Sequence, residues 1–204
     1  NMQAKHISDE VAADDNGITA TAAVANNAAL VLGGALTSGG AFTSATGGRI
    51  IEITSASDDS AIDFTVVGTD VNGDALSQTI DGADGAAVTT KFFKTVTSIT
   101  AVGDPAGAVI TGTTASAADV ILKATCRLHS MDIVSGGTAG VVNFHNGITD
   151  GVPGDILFKH RTLGTDNTNT GGRMTFGGDG ILFDKGMYVT YTVGHIDMMN
   201  FFFN

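Results

Sequence analysis

The sequence has no tryptophan, one cysteine, two prolines and only two glutamates in 204 residues, and each scarcity removes a class of protein. Cys126 stands alone, so no internal disulfide can form and the fold does not depend on an oxidising compartment. Glu is scarce and Leu occurs nine times, against 28 Gly, 27 Thr and 26 Ala; a helical bundle lacks its usual residues. Bases are few as well. Ten Lys and Arg face 21 Asp and Glu, a formal charge of −11, and a surface of that sign repels phosphate backbones and anionic lipid headgroups. Neither nucleic acid nor a membrane is expected as a partner. No apolar run reaches the roughly 18–20 residues of a spanning helix, and Asn1-Met2-Gln3-Ala4-Lys5 lacks a signal-peptide core, so a soluble protein made in a cytoplasm is expected.

What is present reads as strands and turns. Residues 20–48 are a low-complexity stretch of Ala, Thr, Gly and Asn, broken by Gly33-Gly34, Gly39-Gly40 and Gly47-Gly48, which suits short strands with tight turns. From Arg49 the β signal sharpens. Ile62, Phe64 and Val66 alternate with Asp63 and Thr65, the pattern of a half-buried strand, and Leu76–Ile80 returns after Asn72-Gly73, a strong hairpin signal. Lys91–Val102 repeats the strand pattern through Phe92, Phe93, Val96 and Ile99, and two short strands are predicted at Ala108–Thr111 and Val120–Leu122.

Beyond Leu122 the texture changes. The remaining phenylalanines and both tyrosines lie there, and the acidic excess ends: residues 1–120 carry a net −10 and residues 121–204 a net −1. Strands are predicted at 126–134, 141–144, 155–159, 173–176, 180–183, 187–193 and 196–203, with turns at Gly136-Gly137, Gly147, Gly171-Gly172, Gly177-Gly178 and Gly186. The expected fold is all-β: an N-terminal arm with the first strands over 1–48, an Ig-like β-sandwich over 49–123, and a small β-sandwich or jelly-roll-like module over 124–204.

Chemistry-bearing motifs are weak. His6, His129, His145, His160 and His195 have no zinc-ligand spacing. Asp70-Val71-Asn72-Gly73-Asp74 opens like a calcium loop but lacks the distal Glu, and a β-turn explains the same residues. No GxSxG elbow occurs, no Gly-Lys-Ser/Thr follows a glycine doublet, and Cys126 reads as a small buried hydrophobe. Two tyrosines and no tryptophan make a poor sugar platform. No catalytic, cofactor-binding or metal residues are expected, and no enzyme.

Two stretches carry a resemblance. Residues 50–102, through Ile53-Thr54-Ser55-Ala56-Ser57-Asp58-Asp59-Ser60, Phe64-Thr65-Val66-Val67-Gly68-Thr69-Asp70-Val71-Asn72-Gly73 and Phe93-Lys94-Thr95-Val96-Thr97-Ser98-Ile99-Thr100, resemble the Ig-like β-sandwich units of tailed-bacteriophage virion proteins. Residues 126–193 are similar to a module often appended to them, through Arg127-Leu128-His129-Ser130, Gly136-Gly137-Thr138-Ala139-Gly140 and Gly180-Ile181-Leu182-Phe183-Asp184-Lys185-Gly186-Met187-Tyr188-Val189. The resemblance implies a structural virion component assembled in the host cytoplasm: a capsid decoration (cement) protein contacting the major capsid protein, or a neck, tail-fibre or adaptor part. A homotrimer is the implied assembly. A carbohydrate-binding adhesin domain is the competing class; it would share the sandwich and the acidity but should carry surface aromatics.

The last strand adds an expectation from the residues. In Met198-Met199-Asn200-Phe201-Phe202-Phe203-Asn204, successive side chains alternate faces, so one core cannot receive all three phenylalanines. Met198, Met199, Phe201, Phe202 and Phe203 are therefore the candidate self-interface.

Overall fold

The computed structural model describes residues 2–8, 11–164 and 173–204, and among these the backbone forms seventeen strands and no helix. The first nine are β1 (Gln3–Ser8), β2 (Asp14–Ala23), β3 (Thr37–Ser38), β4 (Ala41–Thr43), β5 (Gly48–Asp58), β6 (Asp63–Thr69), β7 (Ala75–Asp81), β8 (Asp84–Val88) and β9 (Thr95–Val102). The rest are β10 (Ala108–Leu122), β11 (Cys126–Ser135), β12 (Ala139–Thr149), β13 (Val152–Leu163), β14 (Met174–Thr175), β15 (Ile181–Phe183), β16 (Met187–Thr192) and β17 (Ile196–Phe203). The protein is all-β, built of antiparallel sheets in a β-sandwich architecture.

The chain divides into two compact units, Ala13–Ala115 and Asn1–Ala12 with Ser116–Asn204. In the first, β3-β4-β9-β6-β7 form one sheet, while β5 lies beside β8 and the opening half of β10, which also pairs with β2. Ile18, Ile51, Ile53 and Val109 meet Phe64, Val66 and Ile99 in the core, each buried by the period-2 alternation of its strand. The β6–β7 hairpin has the expected place and a different turn. Thr69 pairs with Ala75, the Asp70 carbonyl accepts from Gly73 N (3.0 Å), and only Gly73 has positive φ (87°). This is a three-residue loop ending in a left-handed glycine, so Asn72 stays in ordinary backbone space.

In the second unit, β1-β17-β11-β14 form a sheet, with β15 also on β11, and β13-β12-β16 continue to the closing half of β10. Leu128, Met131, Phe144, Val189, Met199 and Phe201 fill the core. Phe144 stacks on Phe158 (ring centroids 4.0 Å apart) and meets Phe201 edge-on at 5.8 Å.

The structure departs from expectation in four places. The two short strands at Ala108–Thr111 and Val120–Leu122 are one: Gly112 has no positive φ and makes room for the backbone of Asp14 instead of turning the chain, and the strand keeps partners on β2 and then β16. That continuity moves the boundary from 123–125 to 115–116. Residues 1–12 leave the N-terminal arm for the C-terminal unit, where β1 pairs with β17 from Gln3↔Phe203 to Ser8↔Met198. Phe92 and Phe93 precede β9, which begins at Thr95; Phe93 makes only an isolated bridge to Arg49. The turn at Gly171-Gly172 lies outside the described residues.

Candidate functional site

The terminal strand lies between β1 and β11 inside its own unit, which decides the fate of the expected interface residues. Met199, Phe201 and Phe203 point into the core and are 0–3% exposed. They are corrected from interface to core: the sheet has two faces, and the inner one receives alternate residues of β17. Met198 and Phe202 point the other way and are half-buried, as is Asn200 between them.

That outer face has an ordered row. Across β1, β17 and β11, His6 stands opposite Asn200 and Asn200 opposite Asp132. His6 Nδ1 lies 2.9 Å from Asn200 Oδ1, and Arg173 Nε lies 3.6 Å from Asp132 Oδ2. The Arg173 guanidinium also sits 4.5 Å above the Phe202 ring, a cation–π contact that covers this ring from solvent. Beside the row, Met198 neighbours Val134, giving the face an apolar margin.

Residues with chemical potential elsewhere are engaged in structure. The Asp70 carboxylate, 2% exposed, accepts from the backbone N–H of Asn72 (2.7 Å) and Asp74 (3.0 Å) and so is spent on its own turn. Asp59 accepts from Ser55 Oγ (2.6 Å) and Ala106 N (2.7 Å). His145 is buried with Nδ1 2.8 Å from the Gly154 carbonyl and Nε2 2.9 Å from Thr190 Oγ1. Burial raises the Cys126 thiol and lowers the His160 imidazole from their ordinary values. Among the described residues no three His, Cys, Asp or Glu side chains are grouped to hold a metal ion. A depression of about 160 Å³ is lined by Thr21, Thr54, Ser55, Ala56, Ala108 and Ile110, with no titratable side chain.

The sheet edges are what the sequence did not expose. On β7 the edge is plugged: Gln78 Oε1 accepts from Thr90 N and Lys91 N (3.1 Å each), and Lys91 Nζ donates to the Ser77 carbonyl. On β13, twelve residues long, the backbone ladder runs to β12 alone; the second edge pairs with no strand among the described residues, and only at its end does Leu163 N donate to Ser135 Oγ on β11 (3.3 Å). Val152, Ile156, Leu157 and Leu163 are exposed along it. The consecutive apolar pair Ile156-Leu157 beside Lys159-His160-Arg161 was the available signal, hidden because β13 was expected to be five residues long.

Against known proteins, no family model matches the chain, and neither the curated proteins nor the solved structures give a match.

Proposed function

We propose that the protein is a non-enzymatic structural component of a bacteriophage virion, a decoration protein on the outer capsid surface that contacts the major capsid protein and assembles as a homotrimer. The observation that carries this reading is the sequence resemblance of residues 50–102 and 126–193 to virion β modules. Electrostatics supports the outer position. The unit Ala13–Ala115 has eleven acids and three bases, net −8. Two of those bases are drawn inward: Arg49 is 2% exposed with Nη2 donating to the Thr114 carbonyl, and Lys94 Nζ, part-buried, donates to the carbonyls of Ser44 and Thr46. The exposed charge of that unit is therefore almost wholly acidic, which disfavours contact with packaged DNA. The other unit, net −3, has less self-repulsion to overcome in forming a trimer.

Mass spectrometry of purified particles, followed by cosedimentation of the protein with capsids stripped of it, tests the proposal. The chain is expected in particles and on intact shells, in multiples of three. Its absence from particles would overturn the reading.

A further inference from the structure

We infer that the open edge of β13 is a docking strand for β8 of a second copy of this chain, a head-to-tail contact that joins the C-terminal unit of one copy to the acidic unit of the next. The two strands are the opposite ends of one seven-stranded sheet, each with one paired neighbouring strand and one edge that no strand completes among the described residues. A free strand edge presents a row of unpaired N–H and C=O groups that another strand can complete. Neither depends on the virion reading: a chain absent from particles would leave the contact intact.

Charge selects the occupant. The C-terminal part of β13 reads Leu157-Phe158-Lys159-His160-Arg161, with Lys159 and Arg161 exposed. Toward β12, Phe158 to Arg161 run in regular register, from Phe144↔Phe158 to Val141↔Arg161, while Leu157 is the extra residue of the bulge between Ile156 and Phe158, and Pro153 lies further away. Phe158 to Arg161 are thus clear of both features that interrupt pairing, and Leu157, at the bulge, marks the limit of the docking stretch. β8 carries the opposite sign. Asp84 is exposed and stands across from Asp58 on β5, a like-charge pair that an incoming base would relieve. Exposure alternates along β8, with Asp84, Ala86 and Val88 exposed. Antiparallel pairing with Asp84 opposite Arg161 places Ala86 opposite Lys159 and Val88 (47% exposed) opposite Leu157 (42% exposed). One register thereby matches an acid to a base at one end and two solvent-exposed apolar side chains at the other. Lys159 and Arg161 would repel an indiscriminate apolar or basic strand, so the same residues give selectivity.

Because the two surfaces differ, the contact is heterologous, and its repetition gives a ring where the rotation between copies closes and an open filament where it does not. Sedimentation velocity and native mass spectrometry on the full chain test it through charge exchange. Wild type is expected to associate, less so at high salt because the ion pair is exposed. Asp84→Arg and Arg161→Asp, each confirmed folded by its melting curve, should weaken association by about tenfold or more, and the double variant should restore it. Leu157→Lys, at an exposed position, should weaken it without lowering the melting temperature. A monomeric wild type, single variants that associate as wild type does, or a folded double variant that fails to recover would each overturn the proposal.

Discussion

Single residues decide several local outcomes here, and two glycines show how differently they do so. Gly73 has positive φ with nothing within 4 Å of where a Cβ would sit, so Gly73→Val meets only backbone strain, about 1–2 kcal/mol. Gly68 has an ordinary φ, yet a Cβ there would lie 1.8 Å from the Thr95 carbonyl oxygen across the β6–β9 pair. Gly68→Ala should therefore cost more than Gly73→Val, and thermal melts of the two variants compare them directly. Asp70 sits beside the first of these. Since its Oδ1 already accepts two backbone N–H groups and its Oδ2 the Asn72 side-chain amide, added calcium should leave the melting temperature unchanged, and Asp70→Ala should destabilise by about 1–3 kcal/mol. His160 supplies a pH dependence. Burial holds its imidazole below the ordinary value, so the unfolded chain, with a pKa of about 6.5, takes up protons first. That contribution to stability is complete above about pH 6.5 and is lost as pH falls through the window beneath it. In His160→Gln the corresponding part of the slope of melting temperature against pH should vanish.

Strands differ in how plainly the sequence announces them. β6, β7 and β17 alternate apolar and polar or fill both faces with large side chains, and they were legible at nearly their observed bounds. β1 and β8 were not. Gln-Ala-Lys-His-Ile-Ser buries only Ile7, and Asp-Gly-Ala-Ala-Val buries nothing fully, because each lies at a sheet edge where partner backbone rather than a side-chain pattern holds it. For the candidate surface, alternation along β17 was readable, but which face turned inward depended on β1, a strand donated from the other end of the chain. The consequence is measurable on β17. Phe201→Ala should cost about 3–5 kcal/mol, as for a fully buried ring. Phe202→Ala removes a half-buried ring and a cation–π contact worth about 0.5–1 kcal/mol, so it should cost much less. Equal losses in chemical denaturation would contradict this assignment of faces.

Across the whole molecule, the two units are assembled from the chain in different ways. Ala13–Ala115 is continuous, whereas the other unit combines Asn1–Ala12 with Ser116–Asn204. The continuous unit can gather all its contacts before the C-terminal residues exist, while the discontinuous one must wait for β17, a non-local pairing of the kind that slows folding. Fragment complementation tests the difference. A fragment of residues 13–115 is expected to melt cooperatively by itself. A fragment of residues 116–204 should melt at lower temperature, and a peptide of residues 1–12 added in excess should raise that temperature by binding the exposed edge of β17. A peptide without effect would show that β1 contributes little to the unit it completes.

The pairing of Gln3 with Phe203 has a consequence for anything joined to this protein. Opposed residues of antiparallel strands lie about 4.5–5.5 Å apart, so the two chain directions leave the sheet side by side at one corner. A bridge of a few residues could join them into a covalent circle, and new ends could then be opened at an exposed turn tip such as Gly73-Asp74. The same corner sets the response to tension. Pulling on both ends would open β1 from β17 one pair at a time, like a zip, instead of shearing six pairs together.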